Sequence, residues 1–167
     1  SLNELVADVT HMLRPDALTH SCDVQTSLAR TLPAVQADPV QIQQVLINLV
    51  NNAFDAMDET PLSQRRVEIS TTKNGDGTVC LSVRDHGSGI PDHAMDRLFE
   101  RFFTTKGEAG TGLGLPQVYG FMRQAGGSVE LDSSPGTGTR VHLRFAQARP
   151  VAHEARQPQP ETPERVT

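Results

Sequence analysis

The stretch Gln41–Met57, QIQQVLINLVNNAFDAM, decides the fold. Val45, Leu46, Leu49, Val50, Ala53, Phe54 and Met57 recur at i, i+3, i+4 and i+7, the spacing of a helix with one buried face. On the remaining face Gln44, Asn48 and Asn52 stand four apart with Asn51 and Asp55 beside them, so oxygen-bearing side chains line one edge. Asparagine is a mediocre helix former because its side chain competes with the backbone, so three within five residues lower helix stability unless something else uses them. A solvated amide face is the ordinary reading of such a stripe. The flanking sequence is what gives it chemistry.

Working outward, Asp38-Pro39 starts this helix, with Asp38 as N-cap and Pro39 at the first helical position, where its missing N–H is no loss. Upstream, Leu2, Leu5, Val6, Val9 and Leu13 predict an amphipathic helix over Ser1–Leu13, limited by Pro15. Cys22–Ala29 reads as a strand, followed by a turn at Thr31–Pro33 and a short extended piece at Val35–Ala37. Downstream, Arg66–Thr72 and Thr78–Asp85 read as a hairpin around Asn74-Gly75-Asp76-Gly77. Val79, Leu81 and Val83 point one way; Cys80, Ser82 and Arg84 point the other.

The hairpin runs into Asp85-His86-Gly87-Ser88-Gly89-Ile90, where glycines allow a sharp turn or close approach of backbone to a ligand and Asp85 offers a carboxylate. Pro91–Leu98 reads as a short helix, and Phe99, Phe102 and Phe103 come directly after it. Thr104–Gly110 has no apolar anchor and reads as a mobile lid. Gly110-Thr111-Gly112-Leu113-Gly114-Leu115 precedes a helix from Pro116 to about Ala125, a placement that suits phosphate because free N–H groups and the helix dipole both favour an anion. The spacing is neither that of the P-loop nor that of the Rossmann turn. Gly126-Gly127 ends this helix, and Ser128–Asp132 with Thr139–Phe145 forms a last strand pair around Pro135-Gly136-Thr137-Gly138.

Aromatic residues make up only 4%, so the core must be aliphatic. A net charge of −5 without a basic cluster argues against a nucleic-acid binder. Cys22 and Cys80, each inside an apparent strand, read as small buried hydrophobes of a reducing compartment, with no metal-ligand spacing. No run approaches the length of a membrane span and no signal peptide opens the chain, so a cytoplasmic protein is expected. Pro150–Thr167 is proline-rich and almost without apolar residues; the folded domain is expected over 1–147, with 148–167 a disordered linker.

Four elements in order resemble the ATP-binding catalytic domain of sensor histidine kinases, members of the GHKL superfamily with gyrase, MutL and the large heat-shock ATPases. Asn48-Leu49-Val50-Asn51-Asn52-Ala53 is similar to the asparagine box, Asp85-His86-Gly87-Ser88-Gly89 to the first glycine box, Leu98–Phe103 to the phenylalanine box and Gly110–Leu115 to the second glycine box. Gly136-Thr137-Gly138-Thr139 resembles the last glycine turn, so the match runs from about Ser1 to Phe145. The resemblance implies an α/β fold, a two-layer sandwich in which a mixed, mostly antiparallel sheet of about five strands is covered by three helices, and the strands and helices read above fit it.

The resemblance also implies roles. Asp85 would accept the adenine amino group, with Thr139 nearby through water, and Gly87, Gly89 and Ile90 would let the base lie against backbone. Asn52 and Asn48 would hold Mg²⁺, a hard cation that takes oxygen ligands and keeps several waters. Phe103, Thr104, Thr105 and Lys106 of the lid, with Gly110, Thr111, Gly112, Leu113, Gly114 and Leu115, would complete the nucleotide site.

Two departures matter. Where many sensor kinases carry a basic residue three after the second asparagine, this chain has Asp55, so the positive charge for the γ-phosphate falls to Lys106, with Arg101 second. Where hydrolytic relatives carry a glutamate, this chain has Gln44, a poor general base, which suits transfer to a better nucleophile. No histidine ahead of Asn48 has an acidic neighbour of the acceptor type: His11 precedes Met12 and His20 precedes Ser21. His153-Glu154 has the right letters but lies in the proline-rich tail and reads as coincidence, while His86, His93 and His142 read as surface or strand residues.

The function implied is binding of Mg-ATP and transfer of its γ-phosphoryl to a histidine on a helical dimerisation domain outside this chain, with a response regulator or fused receiver domain downstream. The fragment is expected to be a monomer and the whole protein a homodimer. Two rivals are a nucleotide-binding module that has lost transfer, and a GHKL ATPase or serine kinase of the anti-sigma type.

Overall fold

The computed structural model describes residues 1–90 and 114–146. The expectations for Pro91–Leu98, the phenylalanine box, the lid, Gly110 to Leu113 and the tail beyond 146 lie outside the described residues. Helices α1 (Leu2–Met12), α2 (Arg14–Thr19), α3 (Pro39–Ala56) and α4 (Gly114–Gln124) accompany strands β1 (Asp23–Leu28), β2 (Arg66–Lys73), β3 (Val79–Arg84), β4 (Ser128–Ser134) and β5 (Gly138–Phe145). The strands form one sheet in the order β1-β2-β3-β5-β4. Only β1 and β2 run parallel, because the connection between them carries α3; every other neighbour is antiparallel. The sheet is thus mixed and mostly antiparallel, as expected.

Strand alternation builds the core. Val83 pairs with Ile69 and Val141, and Leu81 pairs with Leu143, so their side chains share the face on which the helices lie. That layer meets Leu2, Val6 and Val9 of α1, the apolar face of α3, and Val118 and Met122 of α4 in one cluster. α3 alone buries Ile42, Val45, Leu46, Leu49, Val50, Ala53 and Phe54. Each large member of that row contributes about 1.5–3 kcal/mol over the exposed state. At its N-terminus Asp38 caps α3 by accepting from the Val40 N–H at 2.9 Å.

One element is additional to the sequence reading, and one reading needs correction. α1 ends at Met12, ahead of Pro15 as expected; the element not anticipated is α2, whose first turn Pro15 occupies, where its missing N–H has no intrahelical partner to lose. Among the described residues three long helices cover the sheet, and α2 is an additional short one. Cys22 lies one residue ahead of β1 and is half-buried, not a core strand residue; burial pushes its thiol above the ordinary range. Cys80 is buried within β3, as expected.

Two polar assemblies hold the edges. The buried Thr71 hydroxyl donates to Asn3 Oδ1 at 2.8 Å and accepts from the Ala29 N–H at 3.0 Å. Asn3 in turn donates to the Ala29 carbonyl at 2.7 Å, closing a ring between α1, β1 and β2. Arg65, half-buried ahead of β2, donates to the carbonyls of Thr60 at 2.9 Å, His20 at 2.9 Å and Asp58 at 2.8 Å. One guanidinium therefore ties the end of α2 to the loop after α3. Arg65→Ala should lower the free energy of unfolding in urea by about 2–3 kcal/mol, because losing the charged donor leaves carbonyls without partners. Arg65→Lys should recover less than half, since an ammonium cannot span all three.

On the opposite face of the sheet His142 of β5 lies against Ser82 of β3, with Nδ1 2.8 Å from the hydroxyl. Burial holds the imidazole below its ordinary value of 6.5, reinforced by Arg140 and opposed by Glu130 and Asp132. Because the unfolded chain binds the proton more readily, the stability His142 contributes is present above pH 6.5 and is lost as pH falls through that value toward the folded one. Urea midpoints measured between pH 7.5 and 5.5, a window set by that ordinary value, should fall less in His142→Gln than in the wild type.

Candidate functional site

The amide stripe of α3 survives folding intact. Gln44 donates to Asn48 Oδ1 at 3.3 Å, and Asn48 donates to Gln117 Oε1 on α4 at 3.5 Å, so α3 and α4 are bridged by amides beside the core. Both contacts are long and therefore weak. Asn48 and Asn52 are half-buried, whereas Gln44, Asn51 and Asp55 are exposed. The four-residue repeat continues to Ala56, the last residue of the helix.

At the Ala56 carbonyl the helix meets the first glycine segment. A Cβ at Gly87 would overlap that carbonyl group, so the segment lies directly on the end of the stripe. Gly89 has φ +75°, and a Cβ there would overlap the Ser134 carbonyl at the end of β4. The segment is thus wedged between α3 and the β4–β5 turn. It is also bonded there: the Gly136 N–H donates to the Ser88 carbonyl at 2.7 Å and the Ile90 N–H to Ser133 Oγ at 2.8 Å.

Asp85 is held in the same wedge with only 7% of its surface exposed. Its Oδ1 accepts from the Gly87 N–H at 2.9 Å and from the Thr139 N–H at 3.2 Å, while its own N–H donates to the Thr139 carbonyl at 2.9 Å. Backbone donors offset part of the cost of burying the carboxylate. Beside it, His86 Nε2 lies 3.6 Å from Glu68 Oε2, the position of a charge pair when the imidazole is protonated.

The fold therefore brings Asp85, Gly87, Gly89, Ile90 and Thr139 together where α3 ends at Ala56, while Asn52 and Asn48 stand one and two turns back along that helix. α4 begins at Gly114, so Gly114 and Leu115 belong to its first turn rather than to a loop before it; Leu115 packs against the core. Phe103, Thr104, Thr105, Lys106, Gly110, Thr111, Gly112 and Leu113 lie outside the described residues. Ser133 and Gln117 were not among the residues read as functional. Nothing in their local sequence marks them, because both contacts join segments distant in the chain.

A two-layer sandwich carrying an amide-edged helix whose end abuts a glycine turn with a buried carboxylate is the class these elements define. The model of the family described as "Histidine kinase-, DNA gyrase B-, and HSP90-like ATPase" matches residues 37–149. The chain belongs to that family. It is 35% identical over 142 residues to the sensor histidine kinase ZraS of Escherichia coli K12, covering 85% of this chain and 29% of ZraS. It is 32% identical over 145 residues to sporulation kinase A of Bacillus subtilis, covering 87% of this chain and 23% of that protein. The chain thus spans less than a third of these relatives. Among solved structures, the nucleotide-free catalytic domain of histidine kinase ThkA superposes with TM-score 0.75 at 29% identity, covering 89% of this chain and 95% of that one. Full-length ShkA in complex with AMPPNP superposes with TM-score 0.76 at 27% identity, covering 90% of this chain and 31% of that one.

Gly87→Ala should lower stability by about 1–3 kcal/mol, the cost of forcing a methyl against fixed backbone. Gly75→Ala is the control, since a Cβ there meets nothing within 4 Å. Equal urea midpoints for the two variants would mean that the glycine segment does not rest on α3.

Proposed function

We propose that this chain is the ATP-binding catalytic domain of a sensor histidine kinase, which holds Mg-ATP and presents the γ-phosphoryl to a histidine on a helical dimerisation domain. The observation that carries the reading is the junction of α3 with the first glycine segment, where the Asn48–Asn52 stripe ends at Ala56 against Gly87 with Asp85 buried beside it. The superposition over 95% of the ThkA catalytic domain supports it.

Asp85 is the acceptor for an exocyclic amino group of the base, with Thr139 beside it and the glycine segment of Gly87 and Gly89 letting the base lie against backbone. The donor set of Asn48 and Asn52 fits Mg²⁺, because both offer neutral amide oxygens and the contacts of Asn48 are weak enough to exchange. Bound there, the metal would neutralise charge on the phosphates. Lys106 in the segment after the phenylalanines supplies the cation for the γ-phosphate, with Arg101 second, since Asp55 cannot. Gln44, one turn before Asn48, carries no basic group, which leaves attack on phosphorus to the acceptor imidazole. The phosphorus–oxygen bond to ADP then breaks as the phosphorus–nitrogen bond forms.

The folded unit ends near residue 147, and residues 148–167 act as a linker. Among the described residues no helix is long and apolar enough to cross a membrane. A cytoplasmic site of action, a homodimeric whole protein and a response regulator or receiver domain as final acceptor complete the proposal.

The test is calorimetric titration with ATP, with and without Mg²⁺, and then transfer from labelled ATP to an acceptor helix pair. Binding should depend on magnesium and weaken at least tenfold in both Asp85→Asn and Asn52→Ala, about 1.4 kcal/mol or more each. A folded wild-type chain that does not bind ATP would end this reading, and steady phosphate release without an acceptor would favour a hydrolase.

A further inference from the structure

Ser133 on β4 belongs to none of the boxes, yet three groups converge on its hydroxyl. The Ile90 N–H donates to it at 2.8 Å, the Gly138 carbonyl lies 3.0 Å away, and Thr139 Oγ1 lies 2.9 Å away. A serine hydroxyl carries one proton and two acceptor sites. The Ile90 N–H takes one acceptor site. The Gly138 carbonyl can only accept, so the serine proton goes there. The remaining acceptor site is filled by the Thr139 proton. The opposite choice would place the Ser133 and Gly138 oxygens 3.0 Å apart with no proton between them.

In the arrangement that satisfies all these groups, Thr139 has used its only proton on Ser133. Toward the base it therefore has only lone pairs to offer, next to the Asp85 carboxylate that its own N–H holds at 3.2 Å. We infer that Ser133 is a specificity-positioning residue for the nucleobase: by taking the Thr139 proton it keeps this edge acceptor-only, selecting an exocyclic amino group over a carbonyl. A water bridging Asp85 and Thr139 preserves the sign, because it donates both protons inward and turns a lone pair to the base. Guanine would set its O6 against these acceptors, whereas the adenine amino group would meet them with protons. The inference rests on the nucleotide reading above.

The experiment is titration of the whole chain with ATP and with GTP in Mg²⁺, for wild type, Ser133→Ala and Ser133→Thr, with thermal unfolding alongside. In Ser133→Ala the freed Thr139 proton can turn outward, so the ratio of ATP to GTP affinity should fall about tenfold, the effect of one misplaced hydrogen bond. Ser133→Thr keeps the hydroxyl and should keep the ratio. Equal weakening of both nucleotides would reduce Ser133 to a structural residue and overturn the inference. If Ser133→Ala does not fold, Thr139→Val must lower the same ratio, and an unchanged ratio overturns the inference as well. A wild type that binds ATP and GTP equally overturns it while leaving the nucleotide reading standing; a wild type that binds neither removes both.

Discussion

α3 has to satisfy two surfaces at once. One face drives Leu46, Val50 and Phe54 into the aliphatic layer above the sheet, and the neighbouring edge carries Asn48 and Asn52 half out of it. Because both sets ride on one rigid cylinder, the position of the amides is inherited from the packing of the apolar face. The Ala56 carbonyl at the end of that cylinder is where Gly87 rests. Core packing and site geometry are thus the same constraint, felt on two sides of a helix.

The sheet supplies the second half of the site by a similar economy. Asp85 comes directly after β3, and the β4–β5 turn returns beside it, so Thr139 and Ser133 arrive through ordinary antiparallel pairing. A buried carboxylate without donors would be strongly unfavourable. Here backbone N–H groups from Gly87 and Thr139 face it, and the glycine at 87 is what allows the chain to come close enough. The amide stripe has the opposite character. Its contacts at 3.3 Å and 3.5 Å are long, and part of that edge remains accessible. The glycine end is built tightly and the amide edge loosely.

Much of this is legible along the chain. The 3.6-residue spacing of Val45 to Met57, the Asp38 cap and the alternation of Val79, Leu81 and Val83 are local signals, and the structure reproduces each. Sequence reasoning broke where a local signal had two meanings. Pro15 both limits one helix and opens another: α1 ends at Met12 as its spacing predicts, whereas the short α2 that follows and packs against the β1 side had no signal of its own. Cys22 has the alternating neighbours of a strand residue, but β1 begins one residue later. Arg65 and Ser133 gave no signal at all, since their partners lie on distant segments and a side chain's partners have no periodicity.

By itself, then, the sequence determined α1, α3 and α4, the hairpin, the amide edge and the order of the glycine segments, because each arises from neighbours within a few residues of one another. The tertiary structure decided that Gly87 rests on Ala56, that Asp85 shares its oxygen with Thr139, and that one serine hydroxyl joins Ile90 to the β4–β5 turn. Those contacts depend on the distance between chain segments brought together by burial of the aliphatic core. Burial is non-directional, so it is the register of the sheet that finally assigns each donor to its acceptor.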